Sequence, residues 1–214
     1  MRRLIGVVLI LAGLSGLGYI GWQFWGTDWQ SARIQAQVRT ETEQAWAHGK
    51  EPHVKWGTVE GIVRIPRFGD DYAIPLMEFT GYPALHAGFG HMPKSADVGH
   101  KGNFVIIAHR TTRNEPLRHM PDLRVGDQVV IETRTRVYTY RLITRGDALR
   151  VRFDTGGWVL DPLPHNPKPG GVEPPQHPGQ RLITMVTCAE LFHSDDRLAV
   201  FGELQRVDQK APPA

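Results

Sequence analysis

One cysteine, Cys188, is present in 214 residues, so no intramolecular disulfide can form. The sequence also lacks a cysteine-rich ligand set and any H-E-x-x-H pair, which argues against metal chemistry and leaves no cofactor implied. Charge of one sign is never concentrated. The basic residues are scattered and the net charge is only +3, so a nucleic-acid partner is not expected. No internal repeat is visible. Long apolar runs are missing everywhere except at the start of the chain.

That exception runs from Leu4 to Trp25 without a charge, about the length needed to cross ~30 Å of hydrocarbon as a helix. Arg2 and Arg3 on its N-terminal flank predict a cytoplasmic N-terminus, with the rest of the chain outside the cell. Tyr19, Trp22 and Trp25 gather at the outer end, where amphipathic rings prefer the headgroup level. A cleaved signal peptide has a shorter apolar region of ~7–15 residues and a small-x-small site. This run is longer and ends in bulky aromatics, so residues 1–26 read as a cytoplasmic tip and an uncleaved single-pass anchor.

Residues 27–56 are polar and helix-favouring. Thr27 or Asp28 is placed to cap a helix, and Ile34, Val38 and Trp46 give a thin apolar stripe. This segment is expected to be an extracytoplasmic stalk holding the domain off the membrane. From 57 to 205 the chain becomes short β-like runs separated by Gly, Pro and Asp: 58–66, 72–78, 103–109, 127–133, 136–143, 158–160, 182–188 and 197–204. Such a series predicts a mainly β sandwich or barrel. Residues 115–123 suggest a helical turn or two, and 206–214 a flexible tail. The stretch "DPLPHNPKPGGVEPPQHPGQ" (161–180) holds seven prolines and three glycines, too many for a regular element. It is either a wall of a cleft beside Cys188 or a surface insertion.

An unpaired cysteine outside the cell implies intermolecular pairing, a reactive thiol or a bland buried residue. Cys188 ends the apolar run "LITMVTC". His109 ends another, "NFVIIAH", whereas His86, His91, His100, His165 and His177 fall in loop-like sequence. Arg197 opens a third, "RLAVF". Singly, these are ordinary: a hydrogen-bonded histidine and a solvated arginine. Together, rigid strand ends can bring them to one rim of a barrel. A cationic neighbour favours the reactive thiolate, and a guanidinium donates two hydrogen bonds to an oxyanion or carbonyl.

The pattern resembles the sortases, membrane-anchored cysteine transpeptidases of Gram-positive bacteria. The family signature before the nucleophile, T-L-x-T-C, reads Thr184-Met185-Val186-Thr187-Cys188 here. The histidine segment of actinobacterial class E sortases, G-H-R-T-T-Y-G, corresponds to "AHRTTRN", keeping His109, Arg110, Thr111 and Thr112. "LFHSDDRLAVFGEL", "PDLRVGDQVVIET" and "WVLDP" are similar to class E as well, and the resemblance covers residues 57–205. It implies a closed eight-stranded β-barrel with short helices. It further implies that Cys188 attacks the Thr–Gly bond of a C-terminal LPxTG- or LAxTG-type sorting signal on a secreted protein. His109 then serves as acid and base, Arg197 supports the oxyanion, and Thr187, Arg113 and Thr111 assist in substrate binding. The thioacyl group passes to an amine of a cell-wall precursor or a pilin. Ala108 and Arg113 replace the family's Gly and Tyr; that Tyr is associated with preferring Ala at the second signal position, which is therefore left open here. Asp195 and Asp196 are either a calcium site, as in some sortases, or a solvated turn.

The rival readings are another exported cysteine enzyme and a non-enzymatic barrel. L,D-transpeptidases carry an S-H-G-C-type motif, and papain-like enzymes place Cys before His; neither matches. A membrane-tethered binding barrel with an inert Cys188 remains the non-enzymatic reading.

Overall fold

In the computed structural model, which describes residues 2–21, 27–79, 81–190 and 195–211, most of the predicted β runs pair into one sheet that closes on itself. Helix α1 (Arg2–Gly21) carries the apolar N-terminal run, with exposed side chains such as Leu9 (66%) and Leu17 (69%). Among the described residues no helix is long and apolar enough to cross a membrane. Trp22 and Trp25, the expected interfacial aromatics, lie outside the described residues.

Helix α2 (Thr27–Ala47) coincides with the expected stalk but does not stand free. Val38 is fully buried with Met77, Ala84 and Ala87, and Trp46 is buried with Ile62 and Ala73. The thin stripe suffices because it meets an apolar patch on the barrel; burying one such side chain contributes ~1.5–3 kcal/mol. Asp28, at the start of α2, accepts a hydrogen bond from the backbone N–H of Asn114 at 3.1 Å.

The barrel strands follow. β1 (His53–Val54) is a short edge on β2 (Gly57–Arg64), which pairs with β3 (Ile74–Glu78). Helix α3 (Tyr82–Ala87) leads into β4 (Phe89–His91) and then β5 (Gly102–Ile107). Next come β6 (Gln128–Glu132), β7 (Arg136–Leu142), β8 (Leu149–Arg152), β9 (Arg181–Cys188) and β10 (Asp196–Gln209). The spatial order β2-β3-β4-β5-β9-β10-β7-β6 returns to β2 through Ile62↔Glu132 and Val63↔Ile131, giving a closed eight-stranded barrel. β8 lies outside the ring on β10. Two contacts are parallel, β3–β4 and β5–β9; the rest are antiparallel. Phe104, Ile106, Ile183, Met185, Val200 and Tyr140 fill the interior.

Several expectations are corrected. Residues 158–160, read as a strand, are a 3-10 turn (Gly157–Leu160), because the Asn103 amide captures the Val159 and Asp161 carbonyls at 3.0 Å each. Residues 115–123 do hold the expected helical turn, a 3-10 turn at Met120–Asp122. His91 is not in a loop: it is buried in β4, with Nδ1 2.7 Å from Glu60 and Nε2 3.2 Å from the Ala96 carbonyl. The strand expected to stop at 204 continues, pairing Arg206 to Gln209 with β7. Lys210 then bridges to Glu132 at 2.7 Å, so the tail is anchored that far.

Candidate active site

Side-chain alternation decides which face of the barrel wall each candidate occupies. On β9, Ile183 and Met185 point into the core, whereas Val186 belongs to an outer cluster with Ala199, Ile107, Val151 and Trp158. Two residues beyond Val186, Cys188 therefore starts from the outer face. It is partly exposed and carries a free thiol. Arg197 on β10 is directly opposite Cys188 in the antiparallel ladder, two residues before the outward-facing Ala199. Opposed residues share a face with Cβ atoms ~4.5–5.5 Å apart.

His109 arrives from the other side. β5 runs parallel to β9 with Ile107 opposite Val186, both in the outer cluster. The next pair is inward: Ala108 joins the core, and the buried Thr187 hydroxyl donates to the Ala108 carbonyl at 2.7 Å. One further step brings His109 outward, level with Cys188. Three adjacent strands, β5, β9 and β10, thus present His109, Cys188 and Arg197 on one face. Thr187 ties the two strand ends together from within. Parallel pairing is what makes the carboxyl ends of β5 and β9 coincide, although 79 residues separate the hydrogen-bonded partners.

The surroundings fix these groups. The Thr112 hydroxyl is 3.5 Å from His109 Nδ1, and the His109 carbonyl accepts from the Leu117 N–H at 3.0 Å. Thr111 is half-buried in the same turn. Burial first, then the charges of Arg113 and His86, pushes His109 down to about 4 from its ordinary value of 6.5. The imidazole is therefore neutral at neutral pH, able to take a thiol proton. Arg110, just after His109, donates to the Ala189 carbonyl and so clamps the chain that follows Cys188. The Arg197 guanidinium sits over the exposed Phe153 ring, 5.0 Å from its centroid, and donates to the Asp196 carbonyl at 2.9 Å. Asp196 pairs with Arg150 at 3.3 Å.

The proline-rich segment 161–180 packs Val172 onto the outer cluster that holds Val186 and Val151. It is braced internally by Asn166, whose amide donates to the Val172 carbonyl, and by Gln176, which donates to the Pro164 carbonyl. It therefore covers the wall next to the candidate site. Residues 191–194, including His193 in the expected β9–β10 loop, lie outside the described residues. Among the described residues no group of three or more His, Cys, Asp or Glu side chains is placed to hold a metal ion.

His86, Arg110, Thr112 and Phe153 all stand at the site without having been assigned a role from sequence. His86 was read as loop but lies on α3, brought close to β3 by Gly88. At that residue φ is +155°, and a Cβ would fall 2.1 Å from the Pro75 carbonyl oxygen. The three-residue approach of β4 carried no periodicity that could have announced it. Phe153 follows β8, whose sequence "LRVR" resembles exposed loop.

A family model described as the sortase domain matches residues 63–205. Sortase SrtE1 of Streptomyces coelicolor is 30% identical over 99% of this chain, which spans about 60% of that relative's length. The structure of sortase E from Streptomyces avermitilis superposes with a TM-score of 0.60 at 31% identity, covering 73% of this chain and 93% of that one. A crystal structure of Sortase E1 from Streptomyces coelicolor with a tripeptide in the active site gives a TM-score of 0.59 at 27% identity, covering 71% and 90%.

Proposed function

Because the chain belongs to the sortase family, we propose that it is a membrane-anchored cysteine transpeptidase acting on C-terminal sorting signals of secreted proteins. The observation that carries this reading is the presentation of a thiol, an imidazole and a guanidinium on one face of β5, β9 and β10.

In this mechanism the Cys188 sulfur bonds to the carbonyl carbon between Thr and Gly of an LPxTG- or LAxTG-type signal, and its proton passes to His109. Arg197 donates to the oxygen that becomes negative. The C–N bond then breaks and His109 returns the proton to the departing amine, leaving a thioester. An amine on a cell-wall precursor or a pilin attacks next. The C–S bond breaks and the sulfur is protonated again. A neutral imidazole in the resting protein suits this order, because the same proton is first accepted and then donated. Asp196 is engaged by Arg150, and the reaction as written needs no metal.

The anchor is part of the proposal. Residues 4–25 form one uncharged run, and the described apolar side chains of α1 are exposed, as a lipid-facing helix requires. Arg2 and Arg3 put the N-terminus in the cytoplasm and the barrel outside.

The test uses the full chain in detergent, incubated with LPxTG and LAxTG peptides and followed by intact mass. The expected result is an acyl adduct on the wild type that hydroxylamine removes and Cys188→Ala lacks, with an unchanged thermal midpoint. No adduct with either peptide, or a large loss of stability in Cys188→Ala, would instead support the barrel with an inert cysteine.

A further inference from the structure

Helix α2 buries a face more polar than docking alone requires. Its buried residues are Ser31, Gln35, Val38, Thr42 and Trp46, spaced three or four apart, and three of them are polar. Burying a polar side chain costs free energy unless it is hydrogen-bonded. Thr42 finds its partner inside the helix, donating to the Val38 carbonyl at 2.7 Å. Gln35 reaches across to the barrel instead. Its amide donates to the Arg113 carbonyl at 3.0 Å and accepts from the Asn114 amide at 2.8 Å. At the start of the helix, Asp28 accepts from the Asn114 backbone N–H at 3.1 Å.

The segment held in this way does not hold itself. Arg113, Asn114 and Glu115 all take positive φ, at 60°, 63° and 44°. Consecutive non-glycine residues rarely do so, and such conformations persist only where neighbours over-determine them. The same segment begins and ends on His109. The His109 carbonyl accepts from the Leu117 N–H at 3.0 Å, and the Thr112 hydroxyl lies 3.5 Å from the His109 Nδ1. The Thr112 carbonyl in turn accepts from the Glu115 N–H at 3.1 Å. Gln35 therefore grips the residue that directly follows the imidazole's neighbour.

We propose that Gln35 is a positioning residue for His109, fixing the turn over 112–117 and, through Thr112, the aim of the imidazole at the departing amine. The inference rests on the transpeptidase reading and brings α2 into its machinery. Small displacements of an acid from its reaction partner are costly in rate, even when they originate far from the chemistry.

The experiment isolates proton donation. The full chain in detergent is acylated by a sorting peptide and by its analogue in which a Thr thioester to mercaptoacetate replaces the Thr–Gly amide. Both substrates need the Cys188 sulfur to attack and its proton to reach His109. Only the amide needs that proton returned, because the C–S bond of the analogue breaks to release a thiolate. The amide-to-thioester ratio of kcat/KM is unaffected by the fraction of folded protein. In Gln35→Ala it is expected to fall about ten-fold or more. Gln35→Glu keeps the shape and the acceptor for Asn114 but sets an oxygen against the Arg113 carbonyl. It should lower the ratio too, and it serves if Gln35→Ala does not fold. Thr42→Val, on the same buried face, should leave the ratio at its wild-type value. A wild-type ratio in both Gln35 variants, or an equal fall in Thr42→Val, overturns the positioning role while the transpeptidase reading stands. Failure of the wild type to form a thioester from the amide peptide overturns both.

Discussion

His109 offers a quantitative test because its neutrality has a thermodynamic cost in acid. In the unfolded chain the imidazole gains a proton below its ordinary 6.5, whereas in the fold it waits until about 4. Between those values the unfolded state binds more protons. The stability linked to His109 is therefore complete above pH 6.5 and lost as the pH falls toward 4. Linkage over that gap gives about 3 kcal/mol in full, and about 2 kcal/mol between pH 7 and pH 5. Urea unfolding of wild type and His109→Gln at the two pH values reads this share, since groups not coupled to His109 cancel in the difference. The wild type is expected to lose about 2 kcal/mol more than the variant on going to pH 5. In carbon-13-labelled histidine spectra, the resonance absent from His109→Gln should not move between pH 8 and pH 5.5. Arg113→Gln should shift its midpoint upward, by less than full exposure would, because burial is the larger cause. A His109 midpoint at or above 6.5 in the folded wild type would refute the electrostatic description of the site.

Arg197→Lys keeps the charge but not the fork. Thioester formation should drop by ~10²–10³ with the thermal midpoint held. His91 should behave oppositely to His109: burial lowers it, but the hydrogen bond and charge of Glu60 outweigh that and leave it raised. Its contribution is thus present in full below pH 6.5 and lost as the pH rises through the folded value; unfolding curves of His91→Gln should lack that alkaline loss. Val38→Asp should destabilise by about 3 kcal/mol, measured in urea, because it would put a carboxylate at a fully buried position packed against Met77, Ala84 and Ala87.

Sequence pattern was sufficient where strands are long and apolar. β5 and β9 were legible because "NFVII" and "LITMV" are buried on both faces, inward in the core and outward under the Trp158 cluster. Cys188, His109 and Arg197 were legible for the same reason, as polar ends of apolar strands. β4 was not, since three residues, one of them Gly90, carry no period, and β8 hides because alternate arginines face solvent. The docking of α2 depends on partners far away in sequence, such as Met77 and Ile62, which a local stripe does not reveal. Residues 158–160 misled because apolar composition alone cannot distinguish a strand from a turn when a distant amide, Asn103, claims the carbonyls.

β10 hydrogen-bonds with β7, β8 and β9, and it is the last of the ten described strands in sequence order. During synthesis, Cys188 therefore appears before the strand that brings Arg197 beside it. A nascent chain holding the thiol has an open sheet edge there and no guanidinium opposite. The thiol and the guanidinium that faces it thus come together only when β10 is laid against β9, so the site is assembled by the pairing of two successive strands.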